Sequence, residues 1–429
     1  DLSPWPAVDD ILRDTQMVRD GLGDVLLQSS MLDDGVAMLY SYPSTFAHKL
    51  GDGGTFGGYE AVHSATHRAL RDKGLQFRYV TDRMLRLGEF DGRRYQVLLL
   101  TRAEAIGDRE AEVIRQFVAD GGTVIADVRP GIYDDHCKLR AAGVLDDLFG
   151  IKRTASTPAT RADIELPGTR LAGVPVDSSV SLTDGAAAAM VGETPVLISK
   201  QTGKGRALLL NFVPATAATS GKSASGVADV QANFLGRLLE QAGVKPLISL
   251  ADATGKPVRG VEVVRWRDRG IQIVALFREA AGGSPETVTV GLPGARYVYD
   301  LRNHKAFGRT QTFTTSVLPC RASFFALCGT QIQTPEVRLP SSAVEPGTLV
   351  KAGVTVPGAE GFHAVRIRVK AAGGDARTVL ADRGNATVQI PIAYNDPAGV
   401  YEVSAVDLFS NQATVTRFTV QEPADAGRP

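Results

Sequence analysis

The sequence predicts an α/β domain followed by two all-β domains, and three observations carry that prediction. From Val36 to Asp127, short apolar runs alternate with amphipathic helical stretches at the spacing of a parallel sheet covered on both faces. After Lys245 helical periodicity is lost, and short β-rich runs are separated by turn residues. At Thr334-Pro335 the all-β pattern starts afresh.

In chain order, Ala7 to Gln28 suits an amphipathic connecting helix, with Val8, Ile11, Leu12, Met17 and Val18 near helical spacing before Gly21 and Gly23 interrupt it. Val36 to Ser41 is a strand that ends in the turn Tyr42-Pro43-Ser44. A helix from Tyr59 to Lys73 is stopped by Gly74. A strand at Gln76 to Thr81, a short helix at Arg83 to Leu87, a strand at Tyr95 to Leu100 and a helix at Asp108 to Asp120 follow. Gly121-Gly122 then introduces the strand Thr123 to Asp127. Thr154 to Gly192 is rich in Ala, Thr and Ser and reads as irregular strands and loops. Pro195 to Ser199 and Arg206 to Asn211 are strands joined by KQTGKG, and the helix Val230 to Ala242 closes the domain before Gly243.

Beyond it, Val261 to Trp266, Ile271 to Phe277, Thr287 to Gly291, Tyr297 to Leu301 and Ser323 to Leu327 predict a small antiparallel sandwich. The runs EPGTLVKAGVTV, HAVRIRVK, ATVQIPI, GVYEVSAVD and TVTRFTV predict an immunoglobulin-like sandwich, and PADAGRP a frayed tail. The expected division is a linker helix at 1–28, the α/β domain at 29–245, a small antiparallel β domain at 246–330 and an immunoglobulin-like β-sandwich at 331–424.

Composition narrows the functional classes. Of 429 residues, 44% are hydrophobic and 22% charged, as in ordinary globular proteins, and the 47 basic and 47 acidic side chains cancel. No global field therefore favours nucleic acid or an anionic membrane. Local basic runs such as Arg265-Trp266-Arg267 and Arg366-Ile367-Arg368 alternate at strand spacing and read as solvated strand faces. Cys137, Cys320 and Cys328 are too few and too irregular for a zinc knuckle or a disulfide framework, and leave the compartment open. No run approaches the roughly 18 apolar residues of a membrane span. The N-terminus DLSPWPAVDD has neither a start Met nor a signal-peptide core, which reads as a segment of something longer.

The strand tip Ala126-Asp127-Val128-Arg129-Pro130-Gly131 lies where doubly wound sheets often hold a nucleophile on a sharp turn, and it carries none. The loop continues to Asp134-Asp135-His136-Cys137, in the position where open sheets place a ligand crevice. His136 and Cys137 suggest a thiol nucleophile and its base, but sequence neighbours seldom reach that geometry, so a structural role is the simpler reading. Ser44, Arg102, Arg129, Asp134 and His136 are the candidate ligand-binding residues, with an anion or sugar hydroxyls as the expected ligand because Arg presents a fixed fork of donors. Gly203-Lys204-Gly205-Arg206 lacks the Walker pattern, with Ile198 and Gly205 at required positions, and reads as a hairpin turn. His63 and His67 are four apart on one helix face, yet Ser64 stands where a zincin has glutamate. Asp33-Asp34, Asp134-Asp135 and Asp146-Asp147 point apart as neighbours and form no acid and base pair. Asn385-Ala386-Thr387 matches a glycosylation sequon, meaningful only in a chain secreted by a eukaryote. No catalytic residue, metal or cofactor is expected.

The residues VAMLYSYPS, YQVLLLTRAEAI, FVADGGTVIADVRPGIYDD and LDDLFGI, then GKGRALLLNF and FLGRLLEQAGV, resemble in order and spacing a known domain family. It is the glutamine amidotransferase-like trimerisation domain of glycoside hydrolase family 42 β-galactosidases, across about Gln28 to Lys245. The resemblance implies a flavodoxin-like fold that has lost the amidotransferase cysteine and holds subunits together, in a homotrimer, near the mouth of a preceding catalytic barrel. Residues 246–330 look similar to the small β domain that follows it in the family. The family's catalytic glutamates lie in the barrel, and this chain has only a helix-like stub before the first strand, so none carries over. The extra sandwich at 335–422 suggests a surface or carbohydrate-facing accessory module.

The reading that follows is a non-catalytic C-terminal portion of a glycoside-hydrolase-like protein, expected to self-associate and to shape a carbohydrate site, with no nucleic-acid or membrane partner. An independent hydrolase using the crevice at Ser44, Arg102, Arg129 and His136, and a carbohydrate-binding or adhesive module on the sandwiches, are the alternatives.

Overall fold

The computed structural model describes residues 5–51, 54–154, 159–214, 225–279, 284–370 and 376–422. The tail PADAGRP lies outside them. The chain divides into two compact units, one of residues 33–247 and one of residues 1–32 with 248–429.

The unit of residues 33–247 is built on a seven-stranded sheet. Its strand order is Ala186–Val191, Thr194–Thr202, Gly205–Leu210, Thr123–Ala126, Val97–Leu100, Val36–Tyr40, Arg78–Thr81. The last five run parallel, and the first two add antiparallel strands at one edge. Side chains alternate between two cores, as strand geometry requires. Val36, Met38, Val97, Leu99 and Ile125 point to one face, where Leu70 of helix Tyr59–Asp72 and Phe234, Leu235 and Leu238 of helix Ser225–Gln241 cover them. Ala37, Leu39, Leu98, Leu100, Val124 and Ala126 point to the other, against Leu85 and the Ile114, Phe117 and Val118 face of helix Asp108–Ala119. Burial on both faces is what makes VLLL and TVIA uninterrupted apolar runs.

KQTGKG is a hairpin turn, with Thr202 paired to Gly205. A Cβ at Gly205 would stand 2.2 Å from the carbonyl oxygens of both Val118 and Gly122, so only glycine lets the turn approach the end of the helix so closely. The region read as irregular is more ordered than its composition implies. Ile151–Arg153 pairs with Val180–Leu182, and Ala159–Leu166 forms a hairpin with Thr169–Asp177 whose Ile164, Leu166, Leu171, Val174 and Val176 enter the core.

The other unit contains a second seven-stranded sheet, from residues 30–31 and 249–328, around Val261, Val263, Leu276, Val288, Val290 and Phe325. Two predicted strands merge into the long strand Glu286–Asp300, and Lys305–Val317, which carries little apolar patterning, pairs along it. A three-stranded and a five-stranded sheet then share one core, to which Val350, Ala352, Val388 and Ile390 contribute from the first and Ile367, Tyr401, Val403 and Phe418 from the second. Met17, Leu22 and Val25 of the N-terminal helical segment join that same core. Gly21, at φ 127°, permits this docking, because a Cβ there would lie 2.5 Å from Ala364 Cβ and 2.7 Å from Thr378 Cγ2. Arg366 pairs with Asp20, and Thr378 Oγ1 donates to the Asp20 carbonyl at 2.9 Å.

Candidate functional site

The carboxyl ends of the parallel strands gather most of the candidate residues, and their polar groups are largely spent on one another. Ser41 follows the strand Val36–Tyr40, and Ser44 opens the helix Ser44–Gly51. Ser44 is fully buried; its Oγ accepts the Ala105 N–H at 2.9 Å and lies 2.8 Å from Ser41 Oγ, which donates to the Ala105 carbonyl at 2.9 Å. The hydroxyl is a strut for the next loop.

Arg102 follows the strand Val97–Leu100 in a left-handed conformation, φ 49°, and is completely buried. Its Nη1 lies 3.1 Å from Glu104 Oε1, and its backbone N–H donates to Asp127 Oδ1 at 2.7 Å. Asp127 ends the neighbouring strand. Burial pushes its carboxyl up to about 7 against the opposing charge of Arg102.

Arg129, also left-handed at φ 60°, reaches across to the hairpin strand Thr169–Asp177, where its Nε donates to Asp177 Oδ2 at 2.8 Å. Arg153 Nη1 approaches the same oxygen at 3.4 Å and gives its Nε to Asp146 Oδ1 at 2.9 Å. Burial works against the charge of Asp177, yet Arg129 and Ser179 hold it below the usual carboxylate range. The Phe56 ring receives both guanidiniums, Arg129 at 4.9 Å and Arg102 at 5.9 Å from its centroid. Arg102, buried, and Arg129, partly buried, thus share one end of the sheet, each in an ion pair.

Asp134 and His136 sit farther out on the loop after Tyr133, which bridges to Ala105. The backbone N–H groups of Lys138 and His136 hold Asp134 low, and they fix a turn. His136 is exposed, with Nδ1 3.1 Å from Asp135 Oδ1. Asp134, Asp135 and His136 bring their ligand atoms within 4.8 Å of one another, but Asp134 already serves two backbone donors. Cys137 donates its thiol to the Pro43 carbonyl at 3.3 Å, and burial pushes that thiol up, the reverse of an activated nucleophile.

Sequence reasoning missed Glu104, Asp127, Asp177 and Phe56 as partners of the arginines, and missed the role of His63. His63 stacks on Tyr59 with centroids 4.2 Å apart, bonds the Thr101 carbonyl through Nε2 at 2.8 Å, and is pushed down to about 4 by burial. His67 instead lies 3.4 Å from the Tyr79 hydroxyl, so the two histidines do not converge on one point. The arrangement can brace loops; it offers no exposed, activated nucleophile among the candidate residues.

Residues 34–245 match the family model described as the β-galactosidase trimerisation domain. No curated protein matches the sequence. Among solved structures, the chain is similar to the β-galactosidase from Bacillus circulans sp. alkalophilus, with 20% identity and a TM-score of 0.55 over 73% of this chain and 44% of that one. It is likewise similar to a catalytic mutant of Gan42B, a GH42 β-galactosidase from G. stearothermophilus, with 18% identity and a TM-score of 0.51 over 68% of this chain and 40% of that one. At these identities the likeness shows a shared fold, and the chain spans less than half the length of either enzyme.

Proposed function

We propose, from the premise that residues 34–245 belong to the β-galactosidase trimerisation domain family, that this chain is the non-catalytic, assembly-forming part of a glycoside-hydrolase-like protein. It joins copies of itself as a homotrimer and helps shape a carbohydrate site whose reacting carboxylates lie elsewhere. The observation that carries this reading is the state of the crevice. Where a doubly wound fold ordinarily keeps reactive groups, Arg102, Glu104, Asp127 and Asp177 are buried, Arg129 is partly buried, and all are engaged with neighbours in the same crevice.

A second feature supports the assembly half. Tyr42, Phe46 and Leu50 recur every four residues at the helix Ser44–Gly51 and are 63%, 52% and 64% exposed. Large apolar side chains presented together are typical of surfaces that meet a partner.

The test is hydrolysis of a chromogenic β-galactoside by the purified chain. The expected result is no turnover above buffer, because glycosidases of this kind need paired carboxylates flanking the scissile bond. Turnover that co-elutes with the chain through repeated purification overturns the non-catalytic reading.

A further inference from the structure

We propose that a pocket in the unit of residues 33–247 binds a small organic monocarboxylate, one whose carboxylate is carried on a compact apolar body. The pocket opens between the strands Thr194–Thr202 and Gly205–Leu210 on one side and the helix Ser225–Gln241 on the other. Its Arg206 pairs with Thr123 at the amino ends of the parallel strands, the opposite end of the sheet from Arg102 and Arg129. The inference goes beyond the assembly reading and stands on separate residues.

Two observations point to this ligand. The first is a pair of uncompensated cations. Arg206 is half-buried, and among the described residues its guanidinium makes no hydrogen bond, ion pair or ring contact. Arg237, also half-buried, spends one N–H on the Pro167 carbonyl at 3.5 Å and lies 5.9 Å from the centroid of the Phe234 ring. No described aspartate or glutamate lines the pocket. Guanidiniums partly withdrawn from water without a counter-ion favour an anion that can enter. Their planar fork of donors matches the edge of a carboxylate.

The second is an apolar enclosure. Strand alternation sends Leu197 and Leu208 to the face that Arg206 shares, and Phe234, Arg237 and Leu238 fall on one face of the helix opposite. The two strand leucines, Phe234 and Leu238 are all buried. The volume is about 160 Å³, on the scale of the roughly 150 Å³ apolar cavities that take up a benzene ring. Ala188 of the edge strand sits at a register shift in the ladder with Thr194–Thr202, and as an exposed alanine it leaves the entrance unobstructed. A compact inorganic anion leaves these walls uncovered, and a neutral ring leaves the guanidiniums uncompensated, so charge and apolar body belong in one ligand.

The experiment is isothermal titration of the whole chain with benzoate, benzamide, acetate and sulfate, repeated on Arg206→Gln and on Arg237→Gln. An unchanged melting temperature verifies that each variant folds. The expected result is binding of benzoate at least about tenfold tighter than each of the other three probes, weakening as salt is raised, and at least about fivefold weaker in each variant. Benzamide binding as well as benzoate would remove the role of charge, and acetate or sulfate binding as well would remove the role of the apolar walls. Either result overturns the proposal, as does the absence of benzoate binding at about 10 mM or full affinity in the folded Arg206→Gln chain. Should Arg237→Gln fail to fold, Arg206→Gln and the four probes on the parent chain decide.

Discussion

Arg129 Nε donates to Asp177 Oδ2 at 2.8 Å, tying the tip of a parallel strand to a hairpin residue 48 positions later. Arg153 leans on the same carboxylate oxygen, so one buried anion gathers two cations. Asp177→Ala removes the acceptor that both share and should destabilise the α/β unit by about 3–5 kcal/mol, the usual cost of breaking a buried pair from one side. Chemical denaturation followed by circular dichroism reads this out; a loss under about 1 kcal/mol would show the two pairs to be ornamental.

Asp127 and His63 should give opposite pH dependences. Asp127 has a folded value raised from 3.8 to about 7, so its contribution is complete below pH 3.8 and is lost as pH rises toward 7. His63 has a folded value lowered from 6.5 to about 4, so its contribution is complete above pH 6.5 and is lost as pH falls toward 4. Asp127→Asn should therefore gain stability relative to the parent at pH 8 compared with pH 4. In NMR titration the His63 ring should stay neutral at pH 6 and protonate near 4. A His63 midpoint at its ordinary value would contradict the packing of that ring on Tyr59.

Thiol labelling should sort the cysteines by environment. Cys320 is exposed, Cys137 is half-buried with its thiol raised by burial, and Cys328 is buried with its thiol raised further. A neutral disulfide reagent should modify Cys320 first, Cys137 slowly, and Cys328 only when the chain unfolds. Early modification of Cys328 would contradict its place in the core.

Gly21→Ala should destabilise the unit of residues 1–32 and 248–429 by about 1–3 kcal/mol, since its Cβ has no room against Ala364 and Thr378. Both tryptophans, Trp5 and Trp266, belong to that unit, so the shift should be visible in tryptophan fluorescence. An unchanged transition would mean that the N-terminal segment is not held on the core shared by the two C-terminal sheets.

The legible part of the fold was the part buried on two sides. VLLL and TVIA read as strands because every residue in them but Thr123 is buried, and the helices between them kept clean apolar stripes. Ala159–Leu166 and Thr169–Asp177 alternate with small and polar residues, and Lys305–Val317 is mostly exposed, so neither carries a strong period. The site divided in the same way. Arg102 and Arg129 were readable as strand-tip residues, whereas Asp177 reaches Arg129 through a hairpin that local spacing does not encode. The docking of Met17 and Leu22 on the C-terminal core was equally invisible, since it joins positions at opposite ends of the chain.

The proposed assembly joins copies of the chain through the outer surface of the α/β unit, whose crevice is closed by ion pairs. Light scattering coupled to size exclusion, run across a concentration series, measures this most directly. With a chain of 45.5 kDa, the account predicts a species three times that mass, and Phe46→Asp at the exposed aromatic face should shift it toward the single-chain mass. A species of 45.5 kDa at every concentration up to the high micromolar range would contradict it.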